Sequence, residues 1–469
     1  MKEIIENQEA YSLYLSYLQT KINALVPPTV REILTPLTFK RVFIYYQKNL
    51  KGETGLLLGR ELEKAGKEVF YKASDSSASD DIDSKEDDLL IDAYALGNEL
   101  NEEEKRTVEA FNKRKGRKIS LLVPSGINPL TGEGETYAEA DCTLSVSPLL
   151  AGNYLDNGLN ASREVRSIFN IDPDFKGQTY LLEKADLKGF YPKRRRNTNK
   201  GSYGSTGIIG GSSLYSGAPL LSSSASSSYR MGTGYSHLFV PKSVFSHYVV
   251  SDPQVLVSEV GEKDGFIDLK EDDFLKVLKC RSLAFGMGCG VSKSVYDSLV
   301  LLLKNYKGIL LIDADGLNSL AKYGSEVLKD HQCEVIITPH LKEFSRLTGQ
   351  AVSDIKRHVF SLGRKFAEDH QVTLVLKSAS TIVFNKDGKE AVISSFGNSG
   401  LAKAGSGDLL SGLIAGLASV NSSLPYKDAL AGVFILGRCA EERGKKQPEF
   451  TLTATDILKE IPDIAKEIV

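Results

Sequence analysis

The sequence has no tryptophan and only three methionines, six histidines and five cysteines in 469 residues. The cysteines, at 142, 280, 289, 333 and 439, are odd in number and far apart, without a Cys-x-x-Cys pair. That excludes a disulfide framework and a thiolate zinc cluster, and it suits free thiols in a reducing compartment. Long apolar runs are missing too. Nothing approaches the roughly 20 residues a membrane span needs, and the opening Met-Lys-Glu-Ile-Ile-Glu-Asn-Gln has no apolar signal core, so a cytoplasmic protein with no membrane partner is expected. Charge of one sign is likewise scarce: 58 basic against 60 acidic residues leave a net charge of -2. Such a balance gives no field that would gather nucleic acid, so any bound anion must be held locally.

What is present is ordinary globular material, 41% hydrophobic and 25% charged, in a chain too long for one ordinary domain. The most informative stretch is Gly-Asn-Ser-Gly-Leu-Ala-Lys-Ala-Gly-Ser-Gly-Asp at 397–408, followed by the apolar helical pattern of Leu409, Leu410, Leu413 and Ile414. Glycines let the backbone approach a ligand closely, and the free N–H groups and dipole of a helix start favour negative charge. Gly405, Ser406 and Gly407 therefore read as a phosphate cradle. A carboxylate there ordinarily caps the helix. Directly beside a phosphate, Asp408 makes electrostatic sense as a base that takes a proton from an attacking hydroxyl.

Strand and helix patterns alternate along both parts of the chain. In the first part, residues 41–46, 68–71, 89–92, 118–123 and 142–146 read as strands, with helices over 55–65 and 101–114. The fold class is α/β with two domains, the first a Rossmann-like three-layer αβα sandwich. The acidic, serine-rich run at 75–88 reads as a solvated loop, and the basic run at 193–196 as a wet linker. In the second part, a short strand at 206–209 runs into Gly210-Gly211, and the serine-rich segment 222–228, flanked by Leu220, Leu221, Tyr229 and Met231, reads as a buried helix rather than a linker. Strands at 283–285, 309–312, 335–337 and 373–376 then end in Gly286-Met287-Gly288-Cys289-Gly290, in Asp313-Ala314-Asp315, in Thr338-Pro339-His340 and in Lys377-Ser378-Ala379-Ser380-Thr381. Four strands delivering such residues at their carboxyl ends mark the edge where open α/β sheets bind ligands. Singly, Asp313 and Asp315 read as helix N-caps, His340 as a surface turn residue, Lys377 as solvent-exposed and Thr381 as an ordinary strand residue.

The first part resembles the epimerase-like domain of the bifunctional NAD(P)H-hydrate repair enzymes, on Leu58-Gly59-Arg60-Glu61-Leu62, Ile91-Asp92-Ala93, and Val123-Pro124-Ser125-Gly126 with Thr131-Gly132-Glu133. Where that family carries Gly-Asn-Asn-Gly-Gly-Asp-Gly, this chain reads Asn-Leu-Lys-Gly-Glu-Thr-Gly at 49–55, and the family's acidic residue before Val-Pro-Ser-Gly is Leu122. The resemblance thus implies an epimerase fold over 1–192 without epimerase chemistry. Asp92 and Ser125 match potassium ligands, but no potassium is expected with the asparagines gone.

The second part, 193–469, is similar to the ADP/ATP-dependent NAD(P)H-hydrate dehydratases, which have a ribokinase-like α/β fold. The resemblance rests on Lys-Gly-x-Tyr-Gly, Gly-Gly-Ser with Tyr-Ser-Gly-Ala, Asp-Ala-Asp-x-Leu-Asn, Thr-Pro-His-x-x-Glu, Leu-Lys-Ser-Ala-Ser-Thr and Gly-Ser-Gly-Asp. It implies that Ala218, Gly288, Gly290, His340 and Asp408 face hydrated NADH or NADPH. Lys377, Ser378, Ala379, Ser380, Thr381, Gly405, Ser406 and Gly407 would face ADP or ATP, with Mg²⁺ on the nucleotide, in a homo-oligomer. Departures are Leu341-Lys342 after the histidine, Ala404 in the glycine loop and Leu436 in the late helix. A small-molecule kinase on the same fold, a non-catalytic nucleotide sensor and a bifunctional enzyme with a working epimerase are the alternatives.

Overall fold

Parallel strands whose residues face apolar neighbours on both sides dominate the computed structural model, which describes residues 1–34, 39–73, 84–170, 174–191, 193–224, 230–421 and 424–469. The chain divides into two compact units, Lys2–Leu181 and Leu182–Val469, with Met1 counted in the second.

In the first unit six strands lie in the order Glu68–Ala73, Arg41–Tyr46, Leu89–Ala93, Arg117–Leu121, Cys142–Ser147, Val165–Asn170, all parallel to their neighbours. Alternate residues of Arg41–Tyr46 feed opposite faces: Val42 and Ile44 join one core with Leu58 and Leu62, while Phe43 and Tyr45 join another with Leu90 and Phe111. Helix Leu50–Lys64 begins five residues before the expected start, because Asn49 caps it by accepting the Gly52 amide at 2.9 Å. Residues 50–55 are therefore helical. Their glycines are there for space, since a Cβ on Gly52 would lie 1.8 Å from the Gln47 carbonyl oxygen and one on Gly55 2.4 Å from the Ala93 Cβ. At the end of the acidic run Asp88 is not solvated; it is buried and accepts Arg41 Nε at 3.0 Å. Residues 74–83 of that run lie outside the described residues.

In the second unit nine strands run in the order Leu256–Val260, Tyr235–Pro241, Ser205–Ile209, Ser282–Phe285, Ile309–Ile312, Glu334–Ile337, Thr373–Leu376, Thr381–Phe384, Ala391–Ser394. The first seven are parallel and the last two turn antiparallel. All four expected strand ends thus fall on one carboxyl edge. Helix Ser406–Asn421 is buried along most of its length. The Ser282 hydroxyl donates to Ala415 O at 2.7 Å and Arg281 Nη1 to Ser419 O at 2.9 Å, which ties the helix to the sheet. Helix Gly217–Ser223 places Ser222 and Ser223 in the interior but ends there, with Ser224 as its C-cap, so the expected buried helix holds only for its first two serines; residues 225–229 lie outside the described residues. Arg194 of the basic run is not merely wet: its guanidinium stacks 3.8 Å over the Tyr203 ring and donates to Gly232 O.

All five cysteines are free and buried. Burial pushes the Cys142 thiol up to about 11 and those of Cys280 and Cys333 up to about 12, with Cys289 and Cys439 also raised. Among the described residues no helix is long and apolar enough to cross a membrane.

Candidate active site

Strand Ile309–Ile312 ends in Asp313, and the chain turns there through Ala314, a non-glycine residue at positive φ (49°). The turn packs against Gly286, where a Cβ would meet Asp313 O at 2.1 Å. The following helix, Asp315–Tyr323, has no side-chain cap, so neither aspartate plays the expected capping role. Both are drawn to other partners. Asp313 is 2% exposed and accepts Lys377 Nζ on Oδ1 and Ser411 Oγ on Oδ2, each at 2.7 Å. Asp315 accepts the Gly290 amide at 2.8 Å, which anchors the glycine loop.

Lys377 arrives from the next strand but one. Its amide donates to Pro339 O at 2.8 Å and it forms an isolated parallel bridge with His340, so these two residues stand side by side at the sheet edge. The lysine is therefore ion-paired and four-fifths covered rather than solvent-exposed. Residues 378–380 form the tip between antiparallel strands Thr373–Leu376 and Thr381–Phe384, with Thr381 opening the second strand as its side chain suits. Ser378 and Ala379 are exposed, while the buried hydroxyl of Ser380 has no partner among the described residues.

His340 is a helix N-cap, not a loose turn residue. Its Nδ1 accepts the amides of Lys342 and Glu343, each at 3.1 Å, and Glu343 Oε2 accepts the His340 amide at 2.8 Å. A ring nitrogen accepting two N–H groups carries no proton, which leaves the hydrogen on Nε2. Burial, with Lys377 nearby, lowers the imidazole pKa and keeps it neutral. Burial also pushes the Glu343 carboxyl up to about 7.

Helix Ser406–Asn421 brings its amino end to these side chains. A Cβ added to Gly407 would lie 3.3 Å from Lys377 Nζ and 3.7 Å from Asp313 Oδ2. Gly405, at φ 97°, makes the turn into the helix. Asp408 stands in the first turn, and its carbonyl accepts Ser222 Oγ at 2.8 Å. Burial pushes the Asp408 carboxyl up to about 6, helped by Asp313 and Asp315 and opposed by Lys377. On the neighbouring strand ends, a Cβ on Gly288 would lie 3.6 Å from the Ala218 Cβ, so these two expected site residues adjoin.

The structure therefore gathers Gly407, Asp408, Lys377 and His340 at one edge, with Ala218 and Gly288 beside each other and Gly290 held by Asp315. Sequence reasoning missed Ser411 and gave Glu343 no role beyond its place in the Thr-Pro-His-x-x-Glu motif. The first lies one helical turn beyond Asp408, and the second was visible as the last letter of a His-x-x-Glu capping pattern. Asp92 and Ser125 belong to the other unit, where both are buried against Lys51. Among the described residues there is no group of three His, Cys, Asp or Glu side chains able to hold a metal ion.

A family model described as NAD(P)H-hydrate dehydratase matches residues 206–463, and one described as YjeF-related protein N-terminus matches residues 38–152. The bifunctional NAD(P)H-hydrate repair enzyme Nnr of Thermofilum pendens is 30% identical over 390 residues, covering 80% of this chain and 72% of the relative. The ADP-dependent (S)-NAD(P)H-hydrate dehydratase of Nitrosopumilus maritimus is 32% identical over 294 residues, 61% of this chain and 96% of the relative. Among solved structures, the ADP/ATP-dependent NAD(P)H-hydrate dehydratase of Bacillus subtilis, co-crystallised with ATP and Mg²⁺, superposes with a TM-score of 0.53 at 25% identity over 62% of this chain and 99% of that one. With the dehydratase model spanning more than half of its length, and with catalytic-type groups gathered at the carboxyl edge of its sheet, the chain belongs to the NAD(P)H-hydrate dehydratase family.

Proposed function

We propose that the second unit restores reduced nicotinamide cofactor by dehydrating the S-epimer of hydrated NADH or NADPH at the expense of ADP or ATP. The observation that carries this reading is the Asp408 carboxylate beside the Gly407 cradle and the Asp313–Lys377 pair. Asp408 takes the proton of the ring hydroxyl as that oxygen attacks the terminal phosphorus. The bond from phosphorus to the nucleotide breaks, and AMP (from ADP) or ADP (from ATP) leaves with the electron pair. The carbon–oxygen bond then breaks as the ring nitrogen pushes in its lone pair. Phosphate departs, and loss of a proton from the adjacent carbon restores the reduced ring.

First-turn amides of the helix at Gly407 and Asp408 meet the charge on the moving phosphoryl group, and Lys377 supports them. His340 offers Nε2–H to the hydrated dinucleotide as a neutral donor. The fit to a nucleotide rests on the Gly407 backbone, which lies bare of a side chain beside Lys377 at the start of its helix, and on the Ser380 hydroxyl, unpartnered among the described residues. Mg²⁺ would come in on the nucleotide's phosphates and would neutralise their charge.

The first unit, in this reading, does not epimerise. At the position before Val123 stands Leu122, buried, left-handed (φ 68°) and without a titratable group. The decisive experiment incubates the protein with each separated epimer and with ADP or ATP, following recovery of reduced-cofactor absorbance. The S-epimer is expected to be restored with release of phosphate, and the R-epimer to react no faster than it converts unaided. A stable phosphorylated product would make the protein a kinase, and no nucleotide-dependent change at all would leave it a binding protein.

Gly407→Ala is a milder probe of the cradle. The residue lies in a helix, where alanine is favoured, so the fold should be kept. The added methyl would meet Lys377 Nζ at 3.3 Å, so the ammonium must give way by a few tenths of an ångström. The nucleotide KM should rise by about tenfold or more with at most a small fall in melting temperature, and an unchanged KM would remove the phosphate from that place.

A further inference from the structure

In the first unit the ammonium of Lys51, 0% exposed, is surrounded by oxygen. Val123 O lies at 2.7 Å, Asp92 Oδ2 at 2.9 Å, Ser125 Oγ at 3.0 Å, and Ala95 O and Ser120 Oγ both at 3.4 Å. Both hydroxyls spend their protons on the aspartate: Ser120 donates to Asp92 Oδ2 at 2.7 Å and Ser125 to Asp92 Oδ1. Toward the nitrogen they therefore present lone pairs. All five groups face the centre as acceptors, two more than the three N–H bonds of an ammonium can satisfy.

An oxygen shell larger than an ammonium's hydrogen bonds require is a cage for a spherical cation. Its distances exceed the roughly 2.0–2.6 Å at which Mg²⁺ and Ca²⁺ hold oxygen. The single carboxylate in it balances a single positive charge. Burial draws the Lys51 pKa down against the pull of Asp92. Burial would raise the Asp92 carboxyl, but Lys51 and Ser125 hold it below the usual range.

We infer that Lys51 is a tethered monovalent cation: its ammonium fills an oxygen cage that would otherwise bind a free ion of potassium size, so this unit holds its Asp92–Ser125 loops together without a dissolved cation. A free potassium ion does not fit beside the lysine, since the nitrogen occupies the centre of the same oxygens. The inference deepens the reading of the first unit as catalytically silent and fails separately from it. The epimer assay tests the chemistry, whereas a salt series on the full chain tests the cage.

Lys51→Ala empties the cage and Lys51→Met fills its stem without charge. Melting temperatures are to be measured in LiCl, NaCl, KCl and NH₄Cl at matched ionic strength. The unaltered protein should melt at one temperature in all four. Lys51→Ala should fall by about 10 °C in LiCl, and should regain at least half of that loss, saturably, in KCl or NH₄Cl. Lys51→Met should stay low in every salt. Equal melting of Lys51→Ala in KCl and LiCl, or specific stabilisation of the unaltered protein by KCl, overturns the inference. A second measurement needs no variant. With ¹⁵N-labelled lysine, one ammonium whose protons exchange slowly with water supports the buried cation, and solvent-rate exchange of every lysine overturns it.

Discussion

Asp408→Asn should lower turnover by about a thousandfold or more while nucleotide affinity stays within a few fold, because the amide keeps the shape of the first helical turn and cannot accept a proton. Near-normal turnover would rule out the base. The unaltered enzyme carries a companion signature. Since burial and two neighbouring aspartates hold the Asp408 carboxyl at about 6, the rate at limiting substrate should fall as pH drops through that value. Stability runs the other way. A carboxyl whose folded pKa lies above its unfolded value contributes stability that is present below the unfolded pKa and lost as pH rises through the folded one. At pH 8 the asparagine variant should thus be more stable than the parent, by about 2 kcal/mol once partial exposure is allowed for. A variant both slower and more stable separates loss of the base from loss of the fold.

Lys377→Met has the second largest expected effect, on both stability and binding. It strips the cation from Asp313, whose side chain is 2% exposed and, among the described residues, keeps only the Ser411 hydroxyl. Breaking a buried pair from one side costs about 3 kcal/mol. Adding Asp313→Asn should recover most of that loss, because the neutral amide still accepts from Ser411 and no charge is stranded. Nucleotide binding should weaken by about tenfold or more in both the single and the double variant, since neither restores a cation to the cradle. Denaturant unfolding of the four proteins gives the coupling directly, and strictly additive changes would mean that the pair is not a unit. Lys377 also holds the Asp408 pKa down, so whatever activity survives in Lys377→Met should lose its rate at a higher pH than in the parent.

Local pattern carried much of this into view from sequence. Short apolar runs such as 309–312 admit few structures, and the residues that follow them must lie at strand ends. The helix after Gly407 was equally plain from its leucines. Other features depend on partners distant in the chain. Asp313 looked like a cap because its lysine stands 64 residues away and its serine 98. The contact of His340 with Lys377 follows from strand order, which periodicity does not encode. Helix Gln8–Leu34 was not read at all, since Pro27 and Pro28 interrupt a pattern whose buried tyrosines and leucines otherwise keep helical spacing. The cation cage was half visible. Asp92 and Ser125 matched known ligands, but the same comparison treated Lys51 as a mere departure, because a motif compares letters and not the space a side chain can reach.

The enclosed thiols have a practical meaning for a protein whose proposed task is mending damaged cofactor. Attack by peroxide or by alkylating reagents goes through the thiolate, and these sulfurs are both shielded and hard to ionise near neutral pH. Chemical stress that inactivates enzymes with exposed thiolates would leave this one running, and it can be stored and assayed without an added reductant.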